Sequence, residues 1–256
     1  MSPARFLRVE DQGPVTRIAL ARPPLNILTI DMMEELNTAI ESAAARPALK
    51  ALVLAGEGKA FSAGVAIEDH QGDRVKPMLE SFHRIFHQLW ELECVTVAAV
   101  QGAALGGGAE LATFCDVVVA ADTATLGQPE IKVGVFPPIA ALHYPLRVGL
   151  HRALRLLLSG EVLGAVEAER IGLVDRVVPA GELADAVEQE VARFTAQSAV
   201  VLRLAKRAVK DAWGAGFAEG LALLEEMYHR ELMITEDAEE GLRAFMEKRK
   251  PVWKDR

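Results

Sequence analysis

The spacing of apolar positions alternates between two periods along the first half of the chain. Short apolar runs predict strands at residues 6–9 and 15–20, joined by a tight turn. Apolar residues three and four apart then predict one helix, capped at its N-terminus by the side chain of Thr29 or Asp31, and another over residues 74–91. Because strands alternate with helices, we expect an α/β protein.

Further strands are predicted in the next part of the chain, at residues 49–55, 96–100, 117–120 and 125–127. The first two of these are each followed by a glycine-containing loop, at residues 56–64 and 102–108. A helix that ends near Phe114 follows the second loop. These two strand-and-loop units resemble each other in outline.

From about Ile139 onward, apolar residues recur mainly at helical spacing. Helices are predicted at residues 151–159, 165–171, 182–197 and 216–236, and the single strand of this half at 176–178. The last helix is apolar on more than one side, so it has more surface to bury than one core contact requires. We therefore expect a core of residues 1–195, a C-terminal helical region of residues 196–256, and a homo-oligomer.

Composition narrows the class of protein. The 256 residues carry a formal net charge of −8, and an acidic surface argues against a partner that is a nucleic acid or a membrane. No run of about 18 apolar residues predicts a membrane span, and residues 1–8 lack the features of a signal peptide. Cys94 and Cys115 have no metal-binding spacing, so we expect reduced thiols, no metal and a cytoplasmic location.

The strongest chemical signal is the segment ALGGGAEL, residues 104–111. Glycines between a strand and a helix leave the first N–H groups of the helix approachable, and the helix dipole attracts negative charge there. Glu110 lies one turn into this helix, and helical side chains lean toward the N-terminus. It is therefore either a capping carboxylate or a general base beside an oxyanion site.

Glu130 is the second candidate acid. Pro129 restricts the preceding Gln128 to an extended conformation and so fixes the approach of the loop. A loop glutamate is usually solvated. Two acids that follow neighbouring strands can nevertheless act together as a general acid and a general base, and this role fits the pair better than it fits either acid alone.

The segment KAFSAGV, residues 59–65, follows a buried strand and can supply a second backbone donor to the same site. Ser62 as a nucleophile is an alternative, but its surroundings are not a G-x-S-x-G elbow. His83 and His87 are four residues apart on a predicted helix, which suggests a metal pair, but no third ligand is evident.

Together these segments resemble the enoyl-CoA hydratase/isomerase (crotonase) family over essentially the whole chain. The matching stretches, in chain order, are Arg22-Pro23-Pro24-Leu25-Asn26, Phe61-Ser62-Ala63-Gly64, Gly102 through Glu110, Cys115-Asp116, Gly127-Gln128-Pro129-Glu130, Ala168 through Val174, and Phe245 through Pro251. Each stretch alone is weak evidence. Their order and spacing together are specific.

The resemblance implies a crotonase (ClpP-like) spiral of ββα units, with C-terminal helices that build trimers or hexamers. It implies acyl-CoA thioesters as substrates and requires no cofactor. The N–H groups of Val65 and Gly107 match the family's oxyanion donors, and Glu110 and Glu130 match the two acids of its hydratases. The substrate- and CoA-binding positions would be Leu25, Ala63, Val65, Ala66, Ile67, Glu68 and Gly107.

Two departures from the family pattern affect the site. Val65-Ala66 stands where Ala-Asp is usual, which removes an acid but keeps the backbone donor. The glycine-rich stretch after the second acid is replaced by FPPIAA, residues 136–141, which should reshape the acyl pocket. This stretch, residues 25–29 and Asp69-His70 are similar to the cyclohexa-1,5-diene-1-carbonyl-CoA hydratase branch.

We therefore expect an enoyl-CoA hydratase, in which Glu130 donates a proton to carbon and Glu110 activates water. One alternative is an enoyl-CoA isomerase, which uses chiefly one acid. Another, from a different class, is a non-catalytic binding protein with the same fold, which predicts loss of the acids. A thioesterase-like hydrolase would instead release free CoA thiol.

Overall fold

The computed structural model describes residues 5–256. Its strands are β1 Leu7–Gln12, β2 Val15–Leu20, β3 Ala51–Gly56, β4 Ala60–Ser62, β5 Val95–Val100, β6 Ala103–Leu105, β7 Val117–Ala121, β8 Thr125–Gly127, β9 Val162–Gly164 and β10 Arg176–Val178. Its helices are α1 Ile30–Ala44, α2 Val75–Glu91, α3 Gly107–Thr113, α4 Pro138–Val148, α5 Leu150–Ser159, α6 Ala165–Arg170, α7 Leu183–Thr195, α8 Ala199–Asp211, α9 Phe217–Met227 and α10 Glu236–Met246. Residues 1–4 of the predicted core lie outside the described residues.

The larger sheet has six strands in the order β1-β2-β3-β5-β7-β10. The β1–β2 hairpin is antiparallel and the other pairs are parallel. In β3, Leu52 and Leu54 face one core cluster, whereas Ala51 and Val53 face a second cluster covered by α7. A strand buried on both faces has a continuous apolar run, which is why the sequence of this strand shows no alternation.

The smaller sheet has four strands in the order β4-β6-β8-β9. Each of the units β3-β4 and β5-β6 sends its first strand into the large sheet and its second, short strand into the small one. Gly102 stands at the second crossing, where a β-carbon would collide with the Lys59 carbonyl. The two predicted strand-and-loop units are thus repeats of one ββα arrangement that brings their loops side by side.

The structure corrects several predicted elements. The predicted loop at residues 56–64 contains strand β4, and β9 is a second strand in the C-terminal half, where only residues 176–178 were expected. These strands are three residues long, too short to show a period. Helices α4, α8 and α10 were not predicted. The expected helix at residues 216–236 is α9 continued by a π-helical turn, Tyr228–Leu232.

The start of α1 also differs from the expectation. Thr29 occupies the N-cap position, but the side chains of Thr29 and Asp31 do not cap the helix. Instead the buried carboxylate of Asp69 accepts the Ile30 N–H at 3.0 Å and pairs with Arg74. Asp69, noted in the sequence only for a family resemblance, therefore links the loop after β4 to α1.

The predicted boundary at residue 195 falls between α7 and α8. The segment that runs from α8 to α10, with its connecting turns, exposes many large apolar side chains, namely Val209, Trp213, Phe217, Leu221, Leu223, Tyr228, Met233, Ile234, Leu242, Phe245 and Met246. Within residues 5–256, no helix is both long and apolar enough to cross a bilayer.

Candidate active site

Two glycine-containing corners meet at the start of α3. A β-carbon built on Gly64 would lie 3.4 Å from the Gly107 nitrogen, and one built on Gly107 would lie 2.8 Å from Val65 Cγ2. The loop after β4 therefore touches the first residue of α3. This is the meeting of two backbone donors that the sequence predicted.

The backbone N–H groups at this meeting point are available. Val65 forms an isolated β-bridge with Leu28. In this bridge the Leu28 N–H donates to the Gly64 carbonyl and the Leu28 carbonyl accepts the Ala66 N–H, so the Val65 N–H is not used. Gly107 is the first residue of α3, where no intrahelical acceptor exists. Within residues 5–256, no backbone carbonyl accepts the N–H of Val65 or of Gly107.

Asn26 holds the loop after β4 in place. Its buried amide donates to the carbonyls of Glu57, Ala60 and Phe61 at 2.9, 2.8 and 3.1 Å. Ser62 Oγ donates to the Asn26 carbonyl at 2.8 Å and accepts the Gly64 N–H. Ser62 is fully buried, and these two bonds give its hydroxyl a structural role in the corner rather than that of an exposed nucleophile.

The residues expected to bind substrate and CoA lie along these two loops. The Ala63 N–H donates to the Leu25 carbonyl at 2.9 Å, so the Pro-Pro loop and the loop after β4 run side by side. Leu25, Ile67 and Glu68 are exposed along this ridge, Ala63 and Val65 are half-buried, and Ala66 and Gly107 are buried.

Glu110 lies on the first turns of α3, and its side chain is almost completely buried. The Ala140 N–H, near the start of α4, donates to Glu110 Oε1 at 2.7 Å. Burial and the neighbouring Glu130 raise the Glu110 pKa to about 8, although hydrogen bonds from the Ala140 and Ile139 backbone act in the opposite direction.

Glu130 follows Pro129 in a 3₁₀ turn, Pro129–Val133, and is half-buried. Its Oε1 packs against Gly106, where an added β-carbon would lie only 2.7 Å away. Burial raises the Glu130 pKa to about 7. The second acid therefore lies against the residue that immediately precedes Gly107.

The structure thus brings the two predicted acids together. Their charges are coupled, because Glu130 contributes to the raised pKa of Glu110. Two carboxyls that repel each other in a buried site retain a proton between them at neutral pH. Such a pair can donate one proton and accept another in the same turnover.

His83 and His87 lie elsewhere, beside a groove of about 750 Å³ along the outer face of α2. The neighbouring charges are of both signs and include Asp73, Lys76 and Arg84. Across residues 5–256, no cluster of three His, Cys, Asp or Glu side chains is suited to hold a metal ion.

Sequence reasoning missed three residues around the acids. Ala140 holds Glu110 by its backbone, and the buried side chains of Gln128 and Tyr144 lie 2.9 Å apart beside Glu130. For Gln128 the sequence predicts only an extended backbone before Pro129, and nothing about its side chain. Tyr144 lies on α4, 14 residues beyond Glu130, and nothing in the local sequence connects it with the acids.

Residues 10–256 match the sequence model of the enoyl-CoA hydratase/isomerase family. The chain belongs to this family. A probable enoyl-CoA hydratase of Mycobacterium tuberculosis is 40% identical over 97% of each chain. The cyclohexa-1,5-dienecarbonyl-CoA hydratase of Thauera aromatica is 37% identical over 97% of this chain and 96% of its own. An enoyl-CoA hydratase subunit structure from Geobacillus kaustophilus superposes with a TM-score of 0.92 at 34% identity and full coverage of both chains.

This membership confirms the predicted crotonase-type α/β fold and identifies the protein as an enzyme of the enoyl-CoA hydratase class. It also confirms acyl-CoA chemistry as the general reaction context. The expectation of a non-catalytic binding protein predicted the loss of the acids, and both acids are present and adjacent.

Proposed function

We propose that the enzyme adds water to the double bond of an α,β-unsaturated acyl-CoA, with Glu110 and Glu130 as its acid/base pair. The observation that carries the proposal is the position of the pair. Two electrostatically coupled carboxyls with raised pKa values adjoin a corner where two backbone N–H groups have no backbone acceptor within residues 5–256.

In this proposal the thioester carbonyl accepts hydrogen bonds from the Val65 and Gly107 N–H groups. Negative charge builds on that oxygen as water attacks the β-carbon, and the two donors stabilise it. One donor of this kind typically lowers the barrier by about 3 kcal/mol. The short α3 adds the positive end of its dipole at Gly107.

The proton balance requires two carboxyls in opposite states. The oxygen of water bonds to the β-carbon while one of its protons passes to a carboxylate, and a carboxylic acid delivers a proton to the α-carbon. We assign delivery to Glu130 and acceptance to Glu110. With pKa values of about 8 for Glu110 and about 7 for Glu130, the shared proton lies mainly on Glu110 in the free enzyme, so this assignment requires the proton to pass to Glu130 when substrate binds. The Ala140 N–H, which favours the ionised form of Glu110, assists that transfer.

We further propose that the CoA portion lies along the ridge formed by Leu25, Ala63, Ala66, Ile67 and Glu68. Lys59, on the same loop, offers a positive charge to the CoA phosphates. The addition of water involves no change of oxidation state that would need nicotinamide, and the two amides provide the electrophilic assistance that a metal would otherwise supply.

Replacement of each acid tests the assignment. Glu130→Gln and Glu110→Gln should each lower the hydration rate of crotonyl-CoA by about 10²–10⁴. Glu41→Gln, an exposed glutamate on α1, is the matched control and should leave the rate unchanged. Hydration at the wild-type rate by Glu130→Gln would show that the assignment is wrong.

The division of roles needs a separate measurement. The α-protons of a saturated thioester such as butyryl-CoA can exchange with D₂O without any water addition. The carboxyl next to the α-carbon catalyses this exchange, so Glu130→Gln should abolish it and Glu110→Gln should retain part of it. The opposite result would reverse the two roles.

Two classes of acyl group, linear and alicyclic, are candidates for the substrate. Two probable enoyl-CoA hydratases at 40–41% identity and the cyclohexa-1,5-dienecarbonyl-CoA hydratase at 37% are similarly close to this chain. The bulky FPPIAA segment next to Glu110, at residues 136–141, favours a flat alicyclic acyl group over a long flexible one. Rates with crotonyl-, decenoyl- and cyclohexa-1,5-diene-1-carbonyl-CoA, with products identified by mass, decide between them and separate hydration from isomerisation.

We also propose that the enzyme works as a homo-oligomer, either a trimer or a hexamer formed from two trimers. The exposed apolar side chains of α8–α10 support this proposal, because monomers rarely expose so many large apolar groups together. Light scattering at micromolar concentration measures the assembly, and a monomeric mass would contradict it.

A further inference from the structure

Gln128 and Tyr144 form a buried polar pair behind Glu130. Both side chains are almost completely inaccessible to solvent, and the Tyr144 hydroxyl lies 2.9 Å from the Gln128 amide. Buried amide and hydroxyl groups are costly unless their hydrogen bonds are made. The orientation of the Gln128 amide is therefore decided by its neighbours.

One orientation satisfies every group. With Oε1 toward Tyr144, the amide accepts the phenol hydrogen at 2.9 Å, and its Nε2 donates to both Glu130 carboxylate oxygens at 3.1 and 3.2 Å. The reverse orientation would place the amide oxygen against the two carboxylate oxygens. Since acceptors facing acceptors repel, the ionised carboxylate selects the first orientation.

The Tyr144 hydroxyl holds the Gln128 amide in this orientation by donating to its oxygen. Burial raises the pKa of its phenol, so the hydroxyl stays protonated and remains a donor. The Thr113 hydroxyl, another neighbour of Tyr144, already donates to the Ala109 carbonyl at 2.7 Å.

We propose that Gln128, locked by Tyr144, is the positioning residue for Glu130. Its amide nitrogen donates hydrogen bonds to both carboxylate oxygens and so fixes the direction in which Glu130 faces the reacting carbon. The inference rests on the proposed role of Glu130 as an acid of the hydration reaction. It assigns to Gln128 and Tyr144 an action through Glu130, without contact with the substrate.

The hydrogen bonds from Gln128 should affect the pKa of Glu130. Glu110 on α3 and Tyr144 on α4 are the titratable groups whose charges are coupled to Glu130 and to each other. Neither is changed by Gln128→Met, which keeps the side-chain length and removes both amide groups. Loss of a hydrogen bond to a charged carboxylate should raise the Glu130 pKa by at least about one unit.

The first experiment measures this pKa without substrate. In ¹³C-glutamate-labelled enzyme, the difference spectrum against Glu130→Gln identifies the Glu130 carboxyl, and its titration is compared between wild type and Gln128→Met. An upward shift supports the proposal. An unchanged pKa overturns it, whether or not the enzyme hydrates any thioester.

The second experiment is a double-mutant cycle with crotonyl-CoA. Tyr144→Phe and Gln128→Met should each lower kcat about tenfold, because a misplaced carboxyl is inefficient, and KM should stay within about twofold. Tyr144→Phe should have no further effect in the Gln128→Met enzyme, since it acts only through Gln128. Additive losses would indicate a merely structural role and would overturn the lock.

Tyr228→Phe is the matched control. It replaces the second of the two tyrosines in the chain, which is exposed. We expect wild-type kcat and an unchanged Glu130 titration. If neither acid variant affects hydration while the Glu130 pKa still shifts in Gln128→Met, the proposed function fails and the hydrogen-bonded lock stands.

Discussion

Gly106 is the residue where a small change should disturb the site most. Its backbone has φ 53° and ψ −130°, a region that residues with a β-carbon rarely adopt. An added methyl group would also lie 2.7 Å from Glu130 Oε1, well inside van der Waals contact. Gly106→Ala therefore strains the backbone and displaces the carboxyl at the same time.

The two effects have separate magnitudes. Backbone strain of this kind costs about 1–3 kcal/mol, which corresponds to a fall in Tm of roughly 2–12 °C for a chain of this size. Relief of the contact requires the Glu130 carboxyl to move by several tenths of an ångström or more. Misplacement by about 1 Å costs about 10² in rate. We therefore expect kcat with crotonyl-CoA to fall about a hundredfold.

Gly13→Ala separates strain from displacement. Gly13 has a similar φ of 56° but nothing within 4 Å of an added methyl group, and it lies in the β1–β2 turn. We expect a comparable loss of Tm and a wild-type kcat at 25 °C. Circular dichroism and initial rates measure both quantities. If Gly106→Ala loses no more activity than Gly13→Ala, the contact between Gly106 and Glu130 has no catalytic consequence.

Three further predictions concern stability, the loop after β4 and assembly. The Glu110 pKa is about 8 instead of 4.5, so the folded state binds this proton more tightly and stability falls as pH rises from about 4.5 to 8. Glu110→Gln should remove that dependence. At pH 9 the variant should therefore have a higher Tm than wild type and a free energy of unfolding larger by up to about 5 kcal/mol. A Tm difference between variant and wild type that is the same at pH 5 and pH 9 would contradict this expectation. Asp69→Ala should cost about 1–3 kcal/mol in urea unfolding, because the Ile30 N–H loses its acceptor, and a change below 0.5 kcal/mol would count against that role. Phe217→Asp, at a side chain 86% exposed, should lower the mass seen by light scattering, and an unchanged mass would exclude Phe217 from the interface.

The sequence predicted the site in outline because its signals are local. The glycines at residues 106–108 and the acid at Glu110 are within one helical turn, and Pro129 directly precedes Glu130. The apolar runs that became β3 and β5 are long enough to show their buried character. Two similar strand-and-loop units followed from these runs, each with a glycine-containing loop behind it, whereas the ββα spiral was implied by the family resemblance.

The short strands β4, β6 and β9 were not predicted, although the equally short β8 and β10 were. Strands β4, β6 and β9 are held by pairing with one another or with β8, and the paired residues lie about 22 to 43 positions apart in the chain. Their individual sequences carry no period, so only the assembled small sheet identifies them as strands. The same limit applies to the start of α1, whose acceptor Asp69 is 39 residues away.

The sequence by itself determined the α/β class, the two acids and the two candidate backbone donors, because each depends on residues that are neighbours in the chain. Tertiary structure alone decided the protonation chemistry of the pair. A pKa depends on burial and on charges from other elements, and here Glu110 comes from α3 while Glu130, whose charge raises the Glu110 pKa, comes from the 3₁₀ turn after β8. Only the packing of α4 against α3 and the loop after β8 makes an ordinary glutamate into one that holds a proton at neutral pH.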